Sequence, residues 1–324
     1  MTTETPAAVR PTGSAASGDG SGLPTRRRRG FSIARWYHRG GLGAVVFAVP
    51  IVLIFLYFTW GPIVRGLVLS FQKTNLVALP QWVGLSNFSY VLADPELPRA
   101  ALNTAWFALL ALVFGFPVPI LLAIFINELR GYKWLYNVLA YLPAVVPPVA
   151  AILLWKFFYD PSGNGIFNSI LGWFGLGPYP WLNSETMAMP SIVLEATWAG
   201  AGSTAIIYLA ALATVRSELY ESAEMDGAGI WSRIWHITLP QLRGIILIMM
   251  LLQLIGTFQL FTEPYLFTGG GPNNATQTVM LKIYNYAFVN GDYGAATALS
   301  VVLALFLCLL SIVYQFATRK WGTS

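Results

Sequence analysis

The stretch ESAEMDGAGIWSRIWHITLP, residues 221–240, interrupts an apolar chain with a run of acid. Glu218, Glu221, Glu224 and Asp226 fall within nine residues, in a sequence with only 14 acidic side chains. Gly227 and Gly229 follow at once, and the stretch closes on Leu239-Pro240. SELYESAEMDGAG reads as a short helix stopped by Gly227 or Gly229, since glycine enters the left-handed region without a Cβ clash. Ile230, Trp231, Ile234, Trp235 and Ile237 then recur at helical spacing, which predicts a second short amphipathic segment up to Pro240. That proline suits the first turn of a following helix, where its missing N–H costs nothing. A helix lying on anionic lipid carries Lys and Arg on its polar face. This one carries Glu and Asp, so the expected contact is a protein partner.

The surroundings set the class. Of 324 residues, 56% are hydrophobic and 10% charged, with mean hydropathy +0.60, against roughly 25% charged in soluble domains. The chain is read as an all-α membrane protein with six transmembrane helices, because about 20 apolar residues cross a bilayer. The predicted spans are 42–62, 102–127, 134–158, 189–214, 244–267 and 295–317, forming one domain over 41–320 with a loop at 215–243. Residues 1–40 hold Thr, Ala, Ser, Gly and Pro without apolar periodicity, then RRRR at 26–29, and are expected to be a disordered basic tail. The first apolar run exceeds a signal peptide's 7–15 residues and lacks a small-residue cleavage site, so an uncleaved helix is expected, continuing through PIVRGLVLSFQ. Pro117 and Pro119, and Pro143, Pro147 and Pro148, predict kinks or unwound turns. At membrane depth these need protein or water to satisfy the freed backbone groups, so spans two and three are expected to line something.

Charge placement orients the chain. With the N-terminus inside, only Arg65, Lys73, Arg99, Lys156 and Lys282 of the 19 basic residues fall outside. Lys and Arg favour cytoplasmic loops, so both termini and loop 215–243 are expected in the cytoplasm, with the chain multi-pass. The net charge of +5 is spread over loops, which argues against nucleic acid. The single Cys308 excludes an intrachain disulfide. His38 and His236 have no carboxylate at metal-ligand spacing, so no metal site and no catalytic residues are expected. GGGPNN, residues 269–274, lacks the G-K-[ST] of a phosphate-binding loop, so the chain is not expected to hydrolyse ATP.

A pathway through the bundle needs polar groups among the spans. Glu195, a carboxylate within span four, would cost several kcal/mol facing lipid, so a cavity-facing role is the default. Trp198 lies three residues on, on the same helix face. Within span five, Thr257, Gln259 and Glu263 add polar groups near the outer half, with Gln253 deeper. A polar small-molecule cargo calls for donors and acceptors beside an apolar or aromatic wall, and this set supplies both. The other reading is that these residues bond helices together.

Residues 221–240 resemble the EAA loop of the permease subunits of binding-protein-dependent ABC importers, E-A-A-x-x-D-G-A followed by I-x-L-P. Glu221, Ala223, Asp226, Gly227, Ala228, Ile237, Leu239 and Pro240 match; Ser222 stands where that family has Ala. WVGLSNFSYVLADPELPRAALNTAWF, residues 82–107, is similar to the segment after span one of sugar permeases through Gly84, Leu85, Asn87, Phe88, Asn103 and Thr104. FQLFTEPYLFTGGGPNNATQTVMLKIYNYAF, residues 258–288, resembles their span-five stretch through Thr268, Gly270, Gly271, Pro272, Asn274 and Thr276. The resemblance, to six-span carbohydrate permeases of the maltose and glycerol-3-phosphate type, implies a type I importer fold with a coupling helix at 215–243. It further implies two copies of a cytoplasmic ATPase that hold ATP and Mg, a second permease subunit, an extracytoplasmic solute-binding protein and a di- or oligosaccharide cargo. The alternative is a secondary transporter coupled to protons or sodium through Glu195.

Overall fold

Backbone groups within hydrocarbon have no water to bond, so apolar segments of this length fold as helices. The computed structural model describes residues 41–129 and 131–319. The tail 1–40, and Arg130 and Lys320 of the charge argument, lie outside them. Two units divide between Trp60 and Gly61. In the first, α1 (Gly41–Phe55) leads into a π-helical turn, Leu56–Trp60.

The second unit begins with α2 (Gly61–Leu69) and a two-residue antiparallel ribbon, β1 (Gln72–Lys73) and β2 (Gln81–Trp82), pairing Gln72 with Trp82. There follow α3 (Ser86–Leu92), α4 (Leu97–Glu128), α5 (Lys133–Val145), α6 (Pro148–Phe158), α7 (Ile166–Gly172) and α8 (Ala188–Leu212). Next come α9 (Ser217–Met225), α10 (Ile230–Phe258), α11 (Thr262–Thr268), α12 (Val279–Val289) and α13 (Tyr293–Thr318). Among the described residues, five helical stretches (Val45–Leu69, α4, α8, α10 and α13) are long and apolar enough to cross a membrane, or six if α5 and α6, bent by 94° to one another, are one broken span.

The break falls at Pro147-Pro148. A residue before proline is pushed out of the helical region, and Val146 and Pro147 are both extended, with ψ of 129° and 132°. Single prolines are treated differently. Pro117 follows the π-helical turn Ala111–Gly115, and Pro240 follows Ile234–Thr238. Proline lacks an N–H and its ring crowds the carbonyl four residues back. The wider turn relocates that bonding: Phe116 N–H reaches Ala111 O at 2.7 Å, and Leu239 N–H reaches Ile234 O. In sequence, Pro62 also comes after a π-helical turn, Leu56–Trp60.

This corrects two expectations. Residues 230–240 are not a separate segment ending at a helix start; they run without interruption into α10, and Pro240 sits inside that helix. Its cost is met by the π turn, an accommodation that apolar periodicity does not encode. Val279–Val289 is a further short apolar helix beyond the six expected spans.

Three apolar clusters hold the second unit. Val91, Ala100, Tyr286 and Leu299 join α3, α4, α12 and α13. Phe107, Trp155, Tyr159, Ile192 and Phe267 join α4, α6, α8 and α11. Ala123, Tyr208, Leu212 and Leu242 join the far ends of α4, α8 and α10. Helix α8 also crosses α5 at Gly202, where an added Cβ would lie 1.8 Å from the Ala140 carbonyl oxygen. Backbone cannot yield there as a side chain can. Gly202→Ala is therefore expected to destabilise the chain by about 3 kcal/mol, the upper end of overpacking costs. Thermal unfolding in detergent would read this as a lowered Tm.

Candidate functional site

Loop 215–243 is built around a Schellman stop. Helix α9 ends at Met225; Asp226 is the C-cap and Gly227 takes φ +77°. Ala228 N–H donates to Ala223 O at 2.8 Å and Gly227 N–H to Glu224 O at 3.0 Å, the paired bonds that satisfy a helix's last carbonyls. Ala223, Asp226, Gly227 and Ala228 are thus one backbone device, and a Cβ at Gly227 would touch nothing; only the positive φ demands glycine.

Two side-chain ties close the loop on itself. Arg233, largely buried, binds Glu224 at 2.7 Å and Glu128 at 3.6 Å, joining the acidic helix to the end of α4. Tyr220 and the buried Thr238 share a hydrogen bond of 3.1 Å. Ile237 and Leu239 are half-buried at the base, while Glu221 and Pro240 are exposed. Beside the carboxylates stands an apolar ridge: Met225 is 88% exposed, Trp231 75% and Trp235 64%. Sequence reading passed over Arg233 as a clamp and Tyr220 and Thr238 as a pair. A lone Arg six residues after Gly227 and a β-branched Thr before Leu-Pro carry no spacing signal.

The pathway candidates divide into separate places. Gln253 and Thr257, on α10, line a cavity of about 310 Å³ with Phe107, Phe116, Ala196 and Thr204. Gln253 also lines a smaller neighbouring space between α4 and α8. Thr257 spends its hydroxyl on Leu254 O of its own helix at 2.9 Å. Glu195 does not line these cavities; it lies about 200° round α8 from Thr197, which does. Glu195 is 2% exposed, and its Oε2 has no hydrogen-bond partner among the described residues. Trp198 packs in an aromatic cluster, its ring 5.5 Å from that of Trp155. Gln259 is exposed at the C-terminal cap of α10, and Glu263 sits in the first turn of α11.

The opposite end of the bundle from loop 215–243 is pinned by polar side chains bonding to backbone. Asn87 donates to Ser70 O and Gln72 O at 2.9 and 3.0 Å. Asn103 donates to Asn274 O and Gln277 O at 2.7 and 3.0 Å. Thr104 accepts from Val279 N–H, and Thr268 and Thr276 bond each other. Gly84 and Gly270 have φ of +59° and +95°. Buried Lys282 binds Asp94 at 2.8 Å and Glu96 at 2.9 Å, while the Tyr286 hydroxyl donates to Asp94. A further cavity of about 640 Å³ opens at this end among Lys156, Asp160, Asn183 and Tyr265. No motif foretold it, because its walls come from three separate stretches. The segment between α6 and α8 that supplies one wall folds around Asn168. That side chain donates to Asp160 O, Ser162 O and Tyr179 O and accepts from Tyr179 N–H and Trp181 Nε1.

A family model described as binding-protein-dependent transport system inner membrane component matches residues 41–322. The lactose transport system permease protein LacF of Rhizobium radiobacter is 33% identical over 295 residues, 89% of this chain and 97% of that protein. The arabinooligosaccharides transport system permease protein AraP of Bacillus subtilis is 32% identical over 270 residues, 83% of this chain and 86% of that one. Among solved structures, a chain of a bacterial ABC transporter involved in import of the acidic polysaccharide alginate superposes with TM-score 0.78. It is 29% identical, over 88% of this chain and 99% of that chain. A chain of the alginate transporter in complex with alginate pentasaccharide-bound periplasmic protein gives 0.79 and 27% identity, over 90% and 99%.

The polar pin carries a pH dependence. Burial pushes the Asp94 carboxyl up, but bonds from Lys282 and Tyr286 outweigh it and hold it below its usual value of 3.8. A depressed carboxylate contributes stability that is full above its unfolded pKa and fades as pH falls through the folded one. Unfolding followed from about pH 7 to about pH 3 is expected to show an acid loss of stability below about pH 4. Lys282→Met should reduce that loss.

Proposed function

The chain belongs to the binding-protein-dependent transport system inner membrane components, and from that membership we propose how it works within an importer. It is a multi-pass membrane protein and a permease subunit of an ABC importer. The cargo proposed for it is a di- or oligosaccharide, as the names of LacF and AraP say of those relatives. A solute-binding protein delivers it, as the sugar-bound periplasmic protein of the alginate complex suggests. A second permease subunit supplies the other half of the pathway, and two ATPase subunits bind ATP and Mg. The excess of Lys and Arg on the loop side supports an orientation with loop 215–243 and both termini in the cytoplasm.

The observation that carries the mechanism is the construction of that loop. An exposed apolar ridge beside carboxylates marks a protein interface rather than a solvated turn. The Schellman stop, the Tyr220–Thr238 bond and the Arg233 clamp hold the ridge rigid. Through Glu128 and the Ala123–Tyr208–Leu242 cluster, a push on the loop reaches α4, α8 and α10 together. ATP closure of the ATPases would then open the pathway outward. Swinging a 1:99 population to 99:1 takes about 5.5 kcal/mol of differential binding, which a slack loop could not deliver. The remaining candidates, Glu195, Trp198, Gln253, Thr257, Gln259 and Glu263, are proposed to serve the pathway in different ways: Gln253 and Thr257 at its wall, the others as supports. A proton- or sodium-coupled transporter using Glu195 is the weaker reading, since family membership favours an ATP-driven importer.

Gly227→Ala isolates the loop's backbone, because nothing lies near the added methyl. An L-residue forced left-handed costs about 1–2 kcal/mol, so uptake by the reconstituted importer is expected to fall about tenfold with the chain still in the membrane. In a Cys308→Ala background, Ser222→Cys is expected to cross-link to the ATPase. Undiminished uptake together with no ATPase cross-link would remove the docking role.

A further inference from the structure

The cavity of about 640 Å³ at the end of the bundle away from loop 215–243 has walls unlike those of the space beside Gln253. No residue lines both. Its volume lies within the range of small-ligand sites, roughly 300–1,000 Å³. Lys156 spends one N–H on Leu266 O at 3.2 Å, and an ammonium carries three. Asp160, whose Oδ1 accepts from Ser162 N–H at 2.8 Å, brings a carboxylate to the lining. Asn183 offers both a donor and an acceptor. Tyr265, 41% exposed, stands at the lip. Its ring begins a row: Tyr284 lies 5.0 Å away and Phe288, 67% exposed, 5.0 Å beyond that.

A carboxylate, an amide and an ammonium set beside an aromatic face suit a polyhydroxylated ring. Neighbouring hydroxyls pair with the planar carboxylate and amide while the apolar ring face lies on the aromatic side chain. One cation and one anion leave the pocket without net charge, which disfavours a strongly ionic ligand. We propose that this pocket is an entry subsite for the sugar chain, seating one ring on Tyr265, with following units running along Tyr284 and Phe288. The inference rests on the carbohydrate reading above and adds a contact made before cargo reaches the bundle interior.

The test is direct binding to the full chain in nanodiscs, by saturation-transfer NMR, with lactose, trehalose, maltotetraose and arabinotetraose as probes. At least one tetrasaccharide is expected to bind. Tyr265→Ala should weaken it about tenfold, the upper worth of one aromatic contact, while Tyr265→Phe keeps it. Because Tyr265 also packs on Phe261, Asn183→Ala in the opposite wall is the second variant and should weaken binding as well. No binding of any probe, or equal binding by wild type and both alanine variants, would overturn the subsite. So would variants that bind sugar normally yet lose stimulation of ATPase activity by sugar-free binding protein, which would make the pocket a protein-docking surface. ATP-driven uptake by the reconstituted assembly is measured in parallel: binding without such uptake upholds the subsite and fails the importer reading.

Discussion

Inside a bilayer every N–H and C=O must find its partner within the protein, and this chain places prolines in most of its long helices. The fold follows from how each proline is reconciled with that demand. Pro117 and Pro240 are absorbed by widening the preceding turn, at Ala111–Gly115 and Ile234–Thr238, whereas Pro50 and Pro143 sit inside α-helices without one. Tandem prolines cannot be absorbed, because each expels its predecessor from the helical region, and the chain breaks at Val146-Pro147. One widened turn is also where helices meet closely: a Cβ at Gly115 would lie 2.9 Å from Thr197 Oγ1. Proline placement thus fixes both helix direction and helix contact.

The same demand governs the segments between spans, where side chains replace absent backbone partners. Asn87, Asn103, Asn168, Thr104 and Thr278 each bond backbone groups of a distant stretch or cap a helix start. Among the family-like residues quoted from 82–107 and 268–276, Asn87, Asn103, Thr104, Thr268 and Thr276 prove to be such pins. A shared motif in this chain records how loops are tied as much as what they touch.

Spans and loop were legible because their causes are local. Apolar length marks a crossing helix, and Gly227 marks a stop because no other residue enters that conformation cheaply. What was illegible depends on assembly. Pro240 looked like a helix start since nothing in the sequence announces a π turn before it. Glu195 and Gln253 both read as cavity-facing, but two residues of rotation along α8 separate Glu195 from the face that borders the space. The cavity between Lys156, Asn183 and Tyr265 exists only once the segment around Asn168 has folded.

The broken span has one more consequence. At 1.5 Å per residue, the 13-residue α5 is about 20 Å long and the 11-residue α6 about 16 Å, against a hydrocarbon core of about 30 Å. Neither arm reaches across by itself, and a right-angled elbow cannot sum their lengths. The lipid skirt beside this part of the chain therefore has to be pinched thin, or replaced by a wet cleft or a neighbouring subunit. On that geometry the elbow is a place where an unperturbed bilayer alone cannot be this chain's neighbour.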